Sequence, residues 1–251
     1  MDDAVLIAAL AGLIGTAGHV ATGALSPIPM AAAMLARRRS GGRMRVTVLG
    51  SRRSNRFTDG AKELFDCAAQ GRLDVFFLSG AQIDGEANIN LLSVGDYARP
   101  TQRFSGSFGA PYLYMLVPRV ILFRPGHDRR ALVPRVDFVS APGWSAPEVY
   151  RPGGPAALVT GRCVFDWRRA ERRFALRSVH PGETAAGVRA ATGFDYSEPD
   201  AVAQTELPDA ALRAEISDVV ARDVAETYPQ FAATFGGQGF DGAAQGARPA
   251  L

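Results

Sequence analysis

Residues 71–110 read GRLDVFFLSGAQIDGEANINLLSVGDYARPTQRFSGSFGA, and this stretch carries the clearest structural signal in the chain. The segment 74–78 is almost entirely apolar and is bounded by glycine, at Gly71 before it and at Gly80 after it. A short, continuous apolar run between turn signals is typical of a strand that is buried on both faces. The stretch therefore predicts a central strand that ends in a polar loop containing glycine.

Polar side chains follow this strand at Gln82, Asp84, Asn88 and Asn90, and a second glycine-rich loop follows at 106–110. Loops at the carboxyl ends of sheet strands are where α/β proteins bind ligands. Glycines in such loops let backbone N–H groups approach a phosphate or an oxyanion. Asn and Asp also cap tight turns without any ligand. The residues alone leave both interpretations open, a ligand loop and a capped hairpin.

Helix and strand patterns alternate in the first half of the chain, and strand patterns dominate the second half. Helices are predicted at 3–14, 29–39, 61–70, 184–191 and 209–226, and strands at 19–22, 45–49, 74–78, 90–94, 117–123, 136–140, 156–160, 162–166 and 174–179. This order favours an α/β fold whose layers pack on a mixed sheet. We expect a single domain over residues 1–235 and a disordered Gly/Ala-rich tail at 236–251.

The composition is that of a soluble globular protein, since 47% of the 251 residues are hydrophobic and 21% are charged. The net charge of +3 is dispersed and forms no basic stripe, which argues against nucleic-acid binding. The apolar run 4–36 follows Asp2 and Asp3 and is interrupted by glycines and prolines. It predicts a capped amphipathic helix, neither a signal peptide nor a membrane span. We therefore expect a cytoplasmic protein that does not bind membranes.

Searches for other chemistry in the sequence give little. The chain lacks the glycine fingerprints of dinucleotide-binding and P-loop proteins. The segment 105–109 comes nearest to a serine-hydrolase elbow, but Ser105 stands where the first glycine belongs, and no helix pattern follows. The three histidines and two cysteines lack metal-ligand spacing, so we predict no metal site and no bound cofactor. His127 lies in a polar turn and is expected to be exposed.

Residues 71–110 and several later segments resemble the β subunits of glutaconate CoA-transferase and its family I relatives. Those proteins carry a G-R-x-D-V-x-F-L-G-G-A-Q-I-D segment, a G-N-x-N turn, a G-D-Y-x-x-P segment and a G-S-G-G-A loop. The matching segments here are 71–84, 87–90, 95–100, 106–110, 134–138, 140–143, 153–155, 161–165 and 178–182. The resemblance extends over about residues 5–230, in the expected order.

The resemblance implies a CoA-transferase-type α/β fold, an acyl-CoA substrate, and an active site shared with an α-type subunit in an α2β2-like heteromer. In that family a β-subunit glutamate attacks the acyl-CoA carbonyl, and an anhydride and then a glutamyl-CoA thioester form. The family's glutamate turn matches 48–51 here, so the glutamate position falls on Leu49 or one residue away. Leucine cannot be a nucleophile, and no carboxylate lies between Asp3 and Asp59.

The missing glutamate leaves three functions open. Some relatives that open a ring in steroid catabolism are CoA-thioester hydrolases; they also lack this glutamate, and their acid/base carboxylate comes from the α subunit. Hydrolysis by this chain's complex is therefore a rival to transfer, and a non-catalytic β subunit is the third alternative. Within the chain, Glu86 is the candidate catalytic residue, because it lies in the loop after Gln82.

The resemblance also indicates which residues contact acyl-CoA. Arginines follow the Leu49 turn in the segment 51–56, where they can pair with a carboxylate or with CoA phosphates, although a solvated loop is the alternative. The family's G-S-G-G-A loop is altered here, because Ser107 and Phe108 replace its small pair. The predicted binding residues are Ser51, Arg52, Arg53, Gly80, Gln82, Gly106, Ser107, Phe108 and Gly109.

Overall fold

A large mixed sheet organises the part of the chain that the computed structural model describes, residues 2–235. The strands in that range are β1 (His19–Thr22), β2 (Arg45–Val48), β3 (Val75–Leu78), β4 (Gln82–Ile83), β5 (Ile89–Asn90), β6 (Ser93–Val94), β7 (Gln102–Arg103), β8 (Arg119–Arg124), β9 (Pro155–Thr160), β10 (Cys163–Arg168), β11 (Arg173–Val179) and β12 (Ala203–Gln204). Eight of them form one sheet in the order β12-β11-β10-β9-β8-β3-β1-β2. Two small hairpins, β4–β5 and β6–β7, lie outside it.

Five neighbouring strands of the large sheet, from β2 to β9, run parallel to one another. The register is shown by Val20 of β1, which pairs with Val46 of β2 on one side and with Val75 of β3 on the other. Strand β10 is antiparallel to both of its neighbours, and β12 is parallel to β11. The mixed α/β sheet predicted from the sequence is therefore confirmed.

Helices cover both faces of this sheet. They are α1 (Asp3–Ile14), α2 (Pro27–Arg39), α3 (Gly60–Ala69), α4 (Ala110–Leu116), α5 (Ala185–Ala191), α6 (Ala210–Val219) and α7 (Pro229–Thr234), and a π-helical turn, Val220–Val224, follows α6. Helices α1, α2, α6 and α7 share one hydrophobic core with the sheet, and α3, α4 and α5 share the other. Within residues 2–235, none of these helices combines the length and the apolar character that crossing a membrane requires.

Alternate residues of the central strands supply the two cores. In β1, Val20 points into the core beneath α1 and α2, whereas Ala21 points into the core beneath α3 and α4. The same alternation places Phe77 of β3 in the first core and Phe76 in the second. Because both faces are covered, these strands need apolar residues at successive positions, which is why their sequence pattern is continuous.

The N-terminal helix begins as expected, because the carboxylate of Asp2 accepts a hydrogen bond from the Ala4 N–H at 3.0 Å. The predicted amphipathic character is wrong, since the four consecutive residues from Ala4 to Ile7 are all buried. The helix packs against α2, α6 and β9. Contacts on several sides require an apolar surface nearly all round rather than a single stripe.

Several predicted elements have the expected bounds, including the helix at 3–14 and the strand at 19–22. The predicted strand at 136–140 is wrong. The N–H groups of Val136 and Asp137 donate to the side chains of Asp84 and Gln82, at 3.3 and 3.0 Å, instead of to a neighbouring strand. Side-chain oxygens thus satisfy backbone groups that a sheet would otherwise satisfy.

Two helical segments differ from expectation. Helix α4 follows the glycine-rich loop, where no helix was predicted, and it carries Pro111 near its N-terminus, a position that proline favours. The predicted helix 209–226 is continuous only to Val219 and then widens into the π-helical turn. The tail 236–251, for which we predict disorder, lies outside the described residues.

His127 was expected to be exposed, and this is wrong. Its side chain is buried, with Nδ1 lying 2.8 Å from the hydroxyl of Thr160 and Nε2 lying 2.9 Å from that of Thr192. Burial lowers the pKa of His127 to about 4. The imidazole therefore bridges two threonine hydroxyls as a neutral internal group.

Replacing His127 with Gln is expected to reduce the dependence of stability on pH in the acid range. An unfolded histidine takes up a proton near pH 6.5, whereas folded His127 stays neutral down to about pH 4. The free energy of unfolding should therefore fall as the pH drops from 6.5 towards 4, by about 1.4 kcal/mol per pH unit, and should show no such loss above 6.5. Urea unfolding at a series of pH values measures this, and an unchanged pH dependence in the variant would contradict it.

Candidate functional site

The candidate site lies where the parallel strands end. Strands β1, β2, β3 and β8 are parallel neighbours, so their carboxyl ends meet at one edge of the sheet. At this edge begin the turn after β2, which contains Leu49, and the loop after β3, which contains Gly80. The carboxyl edge of parallel strands is the usual place for ligands in α/β proteins. The structure thus brings together two segments that the sequence links only by resemblance.

The turn after β2 is held mainly by its backbone. The N–H of Leu49 donates to the carbonyl of Thr22 in β1 at 3.0 Å, and the N–H of Ser51 donates back to the carbonyl of Val48 at 3.2 Å. Gly50 has a φ of 91°, a conformation that side chains other than glycine rarely adopt. The partly buried Leu49 side chain packs against the core beneath α3 and α4. An aliphatic group therefore occupies this turn on the side of that core.

A carboxylate from the C-terminal part of the chain reaches this turn from outside. Glu226 accepts hydrogen bonds from the hydroxyl of Ser51 at 3.0 Å, from the Arg52 N–H at 3.3 Å and from the hydroxyl of Thr227 at 2.8 Å. The bond from Thr227, together with those from Ser51 and Arg52 and the charge of Arg53, lowers the pKa of Glu226. Its donors already occupy this carboxylate, so its evident role is to hold the turn.

The loop after β3 is tightly packed. A Cβ atom on Gly80 would lie 2.7 Å from the carbonyl oxygen of Gln82 and 3.2 Å from the Cβ of Ile89, so the position accepts only glycine. Gln82 is buried, and its amide donates to Asp137 and accepts from Asn90, at 2.9 and 2.8 Å. Both of these predicted binding residues therefore support the loop from beneath rather than face an open cavity.

The polar residues of the β4–β5 hairpin bind one another. The carboxylate of Asp84 accepts hydrogen bonds from the N–H groups of Glu86, Asn88 and Val136 and from the Asn88 amide, at 3.0 to 3.3 Å. Burial raises the pKa of Asp84, and these donors oppose that effect. Asn90 likewise accepts from the N–H groups that follow it. Of the two interpretations left open by the sequence, this geometry is that of a capped hairpin.

Glu86 lies at the tip of this hairpin and is exposed. The tip is anchored by the hydroxyl of Tyr114, which donates to the carbonyl of Ala87 at 2.8 Å, and it packs closely against Gly143. Tyr114 lies in the last turn of α4, the helix that leads back towards the start of β8. The hairpin thus carries Glu86 away from the turn at Leu49, and no observed contact joins the two.

The glycine-rich loop 106–109 presents an aromatic surface. Phe108 has a φ of 44° and is 80% exposed, and its ring centroid lies 5.7 Å from that of Phe65 in α3. Tyr112 of α4 contacts the same Phe65 ring at 5.5 Å. A Cβ on Gly109 would collide with the Phe65 ring, so the loop needs glycine there. The substitution noted at Ser107 and Phe108 therefore adds an exposed ring at the N-terminus of α4.

Arg52 and Arg53 extend into solvent, and neither forms an ion pair with another residue within 2–235. Arg124, the last residue of β8, was not predicted as a site residue. Its guanidinium donates to the carbonyl of Gly80 at 2.9 Å, and its Nε is buried without a partner among the described residues. Burial lowers the pKa of Arg124. An arginine ending a strand predicted to be buried was the available signal.

Neither cysteine offers reactive chemistry. Burial raises the pKa of the Cys163 thiol to about 12, although the thiol lies 3.8 Å from Nδ1 of His127. Cys67 is buried as well. In the described part of the chain, no group of three or more His, Cys, Asp or Glu side chains comes together in a way that could hold a metal ion.

Comparison with known proteins places this edge in a family. The family model described as coenzyme A transferase matches residues 6–191. The chain belongs to the coenzyme A transferase family. Its relatives include the β-type subunit of glutaconate CoA-transferase from Acidaminococcus fermentans, which is 32% identical over 145 residues, 55% of this chain and 53% of that protein.

Two further relatives carry other reaction names. The cholesterol ring-cleaving hydrolase IpdB of Mycobacterium tuberculosis is 31% identical over 153 residues, 58% of this chain and 59% of that protein. Among solved structures, the decarboxylase AibA/AibB is 27% identical, covers 85% of this chain and 92% of that chain, and has a TM-score of 0.73. The chain thus spans between half and three fifths of the length of the two sequence relatives, the glutaconate CoA-transferase β-type chain and IpdB.

The solved glutaconate CoA-transferase from Acidaminococcus fermentans superposes with a TM-score of 0.76 at 23% identity, over 92% of this chain and 96% of that chain. At this identity the likeness shows the fold alone. The CoA-transferase-type fold that the sequence motifs implied is therefore confirmed. The family resemblance is confirmed too, with transfer, hydrolysis and decarboxylation all represented among the relatives.

Replacing Ser51 with Ala tests whether Glu226 holds the turn. The change removes the hydroxyl that donates to Glu226 and accepts from the Ser54 N–H at 3.0 Å. The expected loss is about 1–2 kcal/mol of unfolding free energy, because a partly buried N–H loses its partner. Urea unfolding measures it. Ser26→Ala is the control, since the Ser26 hydroxyl bonds only to the nearby Ala24 carbonyl, and its effect should stay below about 0.5 kcal/mol. Equal losses in the two variants would refute the role of Glu226.

Proposed function

We propose that this chain is the β-type subunit of a cytoplasmic heteromeric enzyme that acts on acyl-CoA thioesters and does not itself supply the carboxylate nucleophile. The observation that carries the proposal is the turn after β2, where Leu49 stands at the position the family resemblance assigns to the glutamate. An α-type subunit, in an α2β2-like assembly, completes the site and supplies the acid/base carboxylate.

The surroundings of Leu49 support this division of labour. Its side chain is aliphatic and packs into the core, so it offers the acyl-CoA carbonyl neither a lone pair nor a proton. Glu226 reaches the same turn, but Ser51, Arg52 and Thr227 already donate to its oxygens. Glu86 remains a prediction, and its place at the hairpin tip does not favour it. A carboxylate from the partner is therefore the simplest source.

The acyl-CoA would lie along the edge formed by the turn at Leu49 and the loop 106–109. The exposed guanidinium groups of Arg52 and Arg53 can pair with a carboxylate or phosphate of the ligand. Phe108 offers an exposed ring to an apolar acyl group. Arg124 adds a guanidinium close to Gly80, with its Nε free for a further acceptor among the described groups. Gln82 would support this surface rather than contact the ligand.

Hydrolysis is the reaction that this arrangement favours. Transfer in this family depends on a covalent glutamyl intermediate, which protects the CoA group until the acceptor acid arrives. With Leu49 at that position, water activated by the partner's carboxylate can attack the thioester carbonyl directly, and CoA leaves as the thiol. Transfer through a glutamate of the partner is the alternative, and a purely passive β subunit is the limiting case of the same proposal.

Decarboxylation is a second candidate, because the solved decarboxylase AibA/AibB shares 27% identity over 85% of this chain. Loss of carbon dioxide from an acyl-CoA breaks a carbon–carbon bond and leaves the thioester intact. No carboxylate nucleophile is then needed at Leu49. The nearby arginines would hold the carboxylate of the substrate, and the thioester carbonyl would take up the electrons released from the broken bond.

The products made by the assembled complex distinguish these reactions. We expect the α–β complex, incubated with an acyl-CoA in water without any acceptor acid, to release free CoA thiol. A thiol reagent measures the CoA, and mass spectrometry of the acyl product follows the fate of its carboxylate. Carbon dioxide with intact thioester would establish decarboxylation instead. CoA release only when an acceptor acid is present would sink the hydrolase assignment.

Variants of this chain test where its catalytic groups lie. Loss of an acid/base carboxylate commonly costs about 10²–10⁴-fold in rate. We expect Glu86→Ala, assembled with the α-type subunit, to keep its rate within about tenfold of the parent, because a group outside the site gives up no such factor. Glu148→Ala, another exposed carboxylate, is the matched control. A loss of several orders of magnitude in Glu86→Ala alone would restore Glu86 as the catalytic residue.

A further inference from the structure

Five arginine side chains surround one small cavity at the free edge of the sheet. Strand β2 ends the large sheet, and the loop after it folds back along its edge, where the Val48 N–H donates to the carbonyl of Ser54 at 3.1 Å. A cavity of about 200 Å³ lies against this edge. The arginines that line this cavity, here called the five-arginine cavity, are Arg37, Arg43, Arg45, Arg53 and Arg56.

The positive charge of this cavity is not balanced locally. No carboxylate lines it. None of its five guanidinium groups forms a hydrogen bond or an ion pair with another residue within 2–235. The charge of Arg53 does act on Glu226, but Ser51, Arg52 and Thr227 already donate to that carboxylate. The cavity therefore presents donors and like charges only.

Neighbouring arginines on the same helix behave differently. Arg38 pairs with Asp218 at 2.7 Å, and Arg39 pairs with Glu215 at 3.0 Å, both across the contact between α2 and α6. Arg37, on the same last turn of α2, points into the cavity and has no such partner among the described residues. Acidic residues thus neutralise one side of this helix end and leave the other side unneutralised.

General explanations account for single members of the group. Charged residues on an edge strand prevent unwanted strand pairing, which explains Arg45. Arginine near a helix C-terminus favours the helix dipole, which explains Arg37. Neither explanation requires side chains from α2, from the start of β2 and from the loop 53–56 to converge on the same 200 Å³ cavity. Convergence of like charges from three segments raises their mutual repulsion, and a bound anion relieves it.

We propose that the five-arginine cavity is a binding site for a phosphate-bearing anion, a diphosphate or a phosphate ester. The planar guanidinium group donates two parallel hydrogen bonds to phosphate oxygens, which is why arginine is common in phosphate sites. The cavity volume suits a compact anion rather than a large organic ligand. Five donors around it can meet the several oxygens of a diphosphate at once.

Coenzyme A is one source of such phosphates, and assigning it here rests on the proposed function. Arg45 and Leu49 are four residues apart along β2 and the turn after it, which corresponds to roughly 13 Å of extended chain. CoA carries its thioester at one end and its phosphates at the other, joined by the extended pantetheine arm. Phosphates in the five-arginine cavity would leave the arm free to run along the edge towards Leu49. Free pyrophosphate would use the same chemistry without this connection.

Calorimetric titration of the full-length chain with pyrophosphate tests the site directly. We expect binding that weakens as ionic strength rises, because the contacts are between charges at the protein surface. The double substitution Arg45→Gln with Arg56→Gln should weaken the affinity at least about tenfold, since each charged hydrogen bond is worth a comparable factor. The matched control is Arg130→Gln with Arg222→Gln, which removes the same charge at exposed positions outside the cavity. This control should leave the affinity essentially unchanged.

Competition then identifies the source of the phosphate. If CoA displaces pyrophosphate and pantetheine does not, the site takes the phosphates of CoA. If pyrophosphate binds through Arg45 and Arg56 but CoA does not compete, the site takes a free phosphate anion, and the proposal still stands. Absence of pyrophosphate binding, or equal weakening in both double variants, would overturn it. Because this titration uses no acyl group, its failure would leave the products of the acyl-CoA reaction unaffected, and the reverse also holds.

Discussion

The parallel pairing of β1 with β2 and β3 is the constraint on which the rest of the structure depends. Every residue of β1 is buried, and its two faces contribute to different hydrophobic cores. A shift of one residue in register would exchange the faces of Val20 and Ala21 and disturb both cores. The register therefore fixes where β2 and β3 end, so the turn at Leu49 and the loop at Gly80 emerge at the same edge.

The polar residues beyond β3 depend on this edge for their role. Asp84 and Gln82 accept the N–H groups of Val136 and Asp137, so that the segment 134–138 packs without becoming a strand. Buried polar groups of this kind need complete hydrogen bonding, because an unpaired member is costly in a medium of low dielectric constant. The side chains that look most like ligand contacts in the sequence are thus largely occupied by the protein's own backbone.

Charge distinguishes the two ends of the site. The turn after β2 lacks a carboxylate nucleophile, and the loop beyond it is rich in arginine. Where arginines of α2 meet α6, acidic residues neutralise them, whereas those at the free edge of β2 have no such partners among the described residues. Such a surface suits an anionic ligand whose reactive end lies at Leu49, and it leaves the acid/base chemistry to a partner subunit.

The sequence by itself determined the family, the alternation of strands and helices, and the absence of a glutamate at Leu49, because these follow from local patterns and ordered motifs. Only the tertiary structure decided which polar residues are free. His127 is buried by threonines 33 and 65 residues away, and Arg124 meets Gly80 across 44 residues. The five-arginine cavity likewise joins α2, β2 and the loop 53–56. Burial and charge balance depend on contacts between distant segments, which no local pattern records.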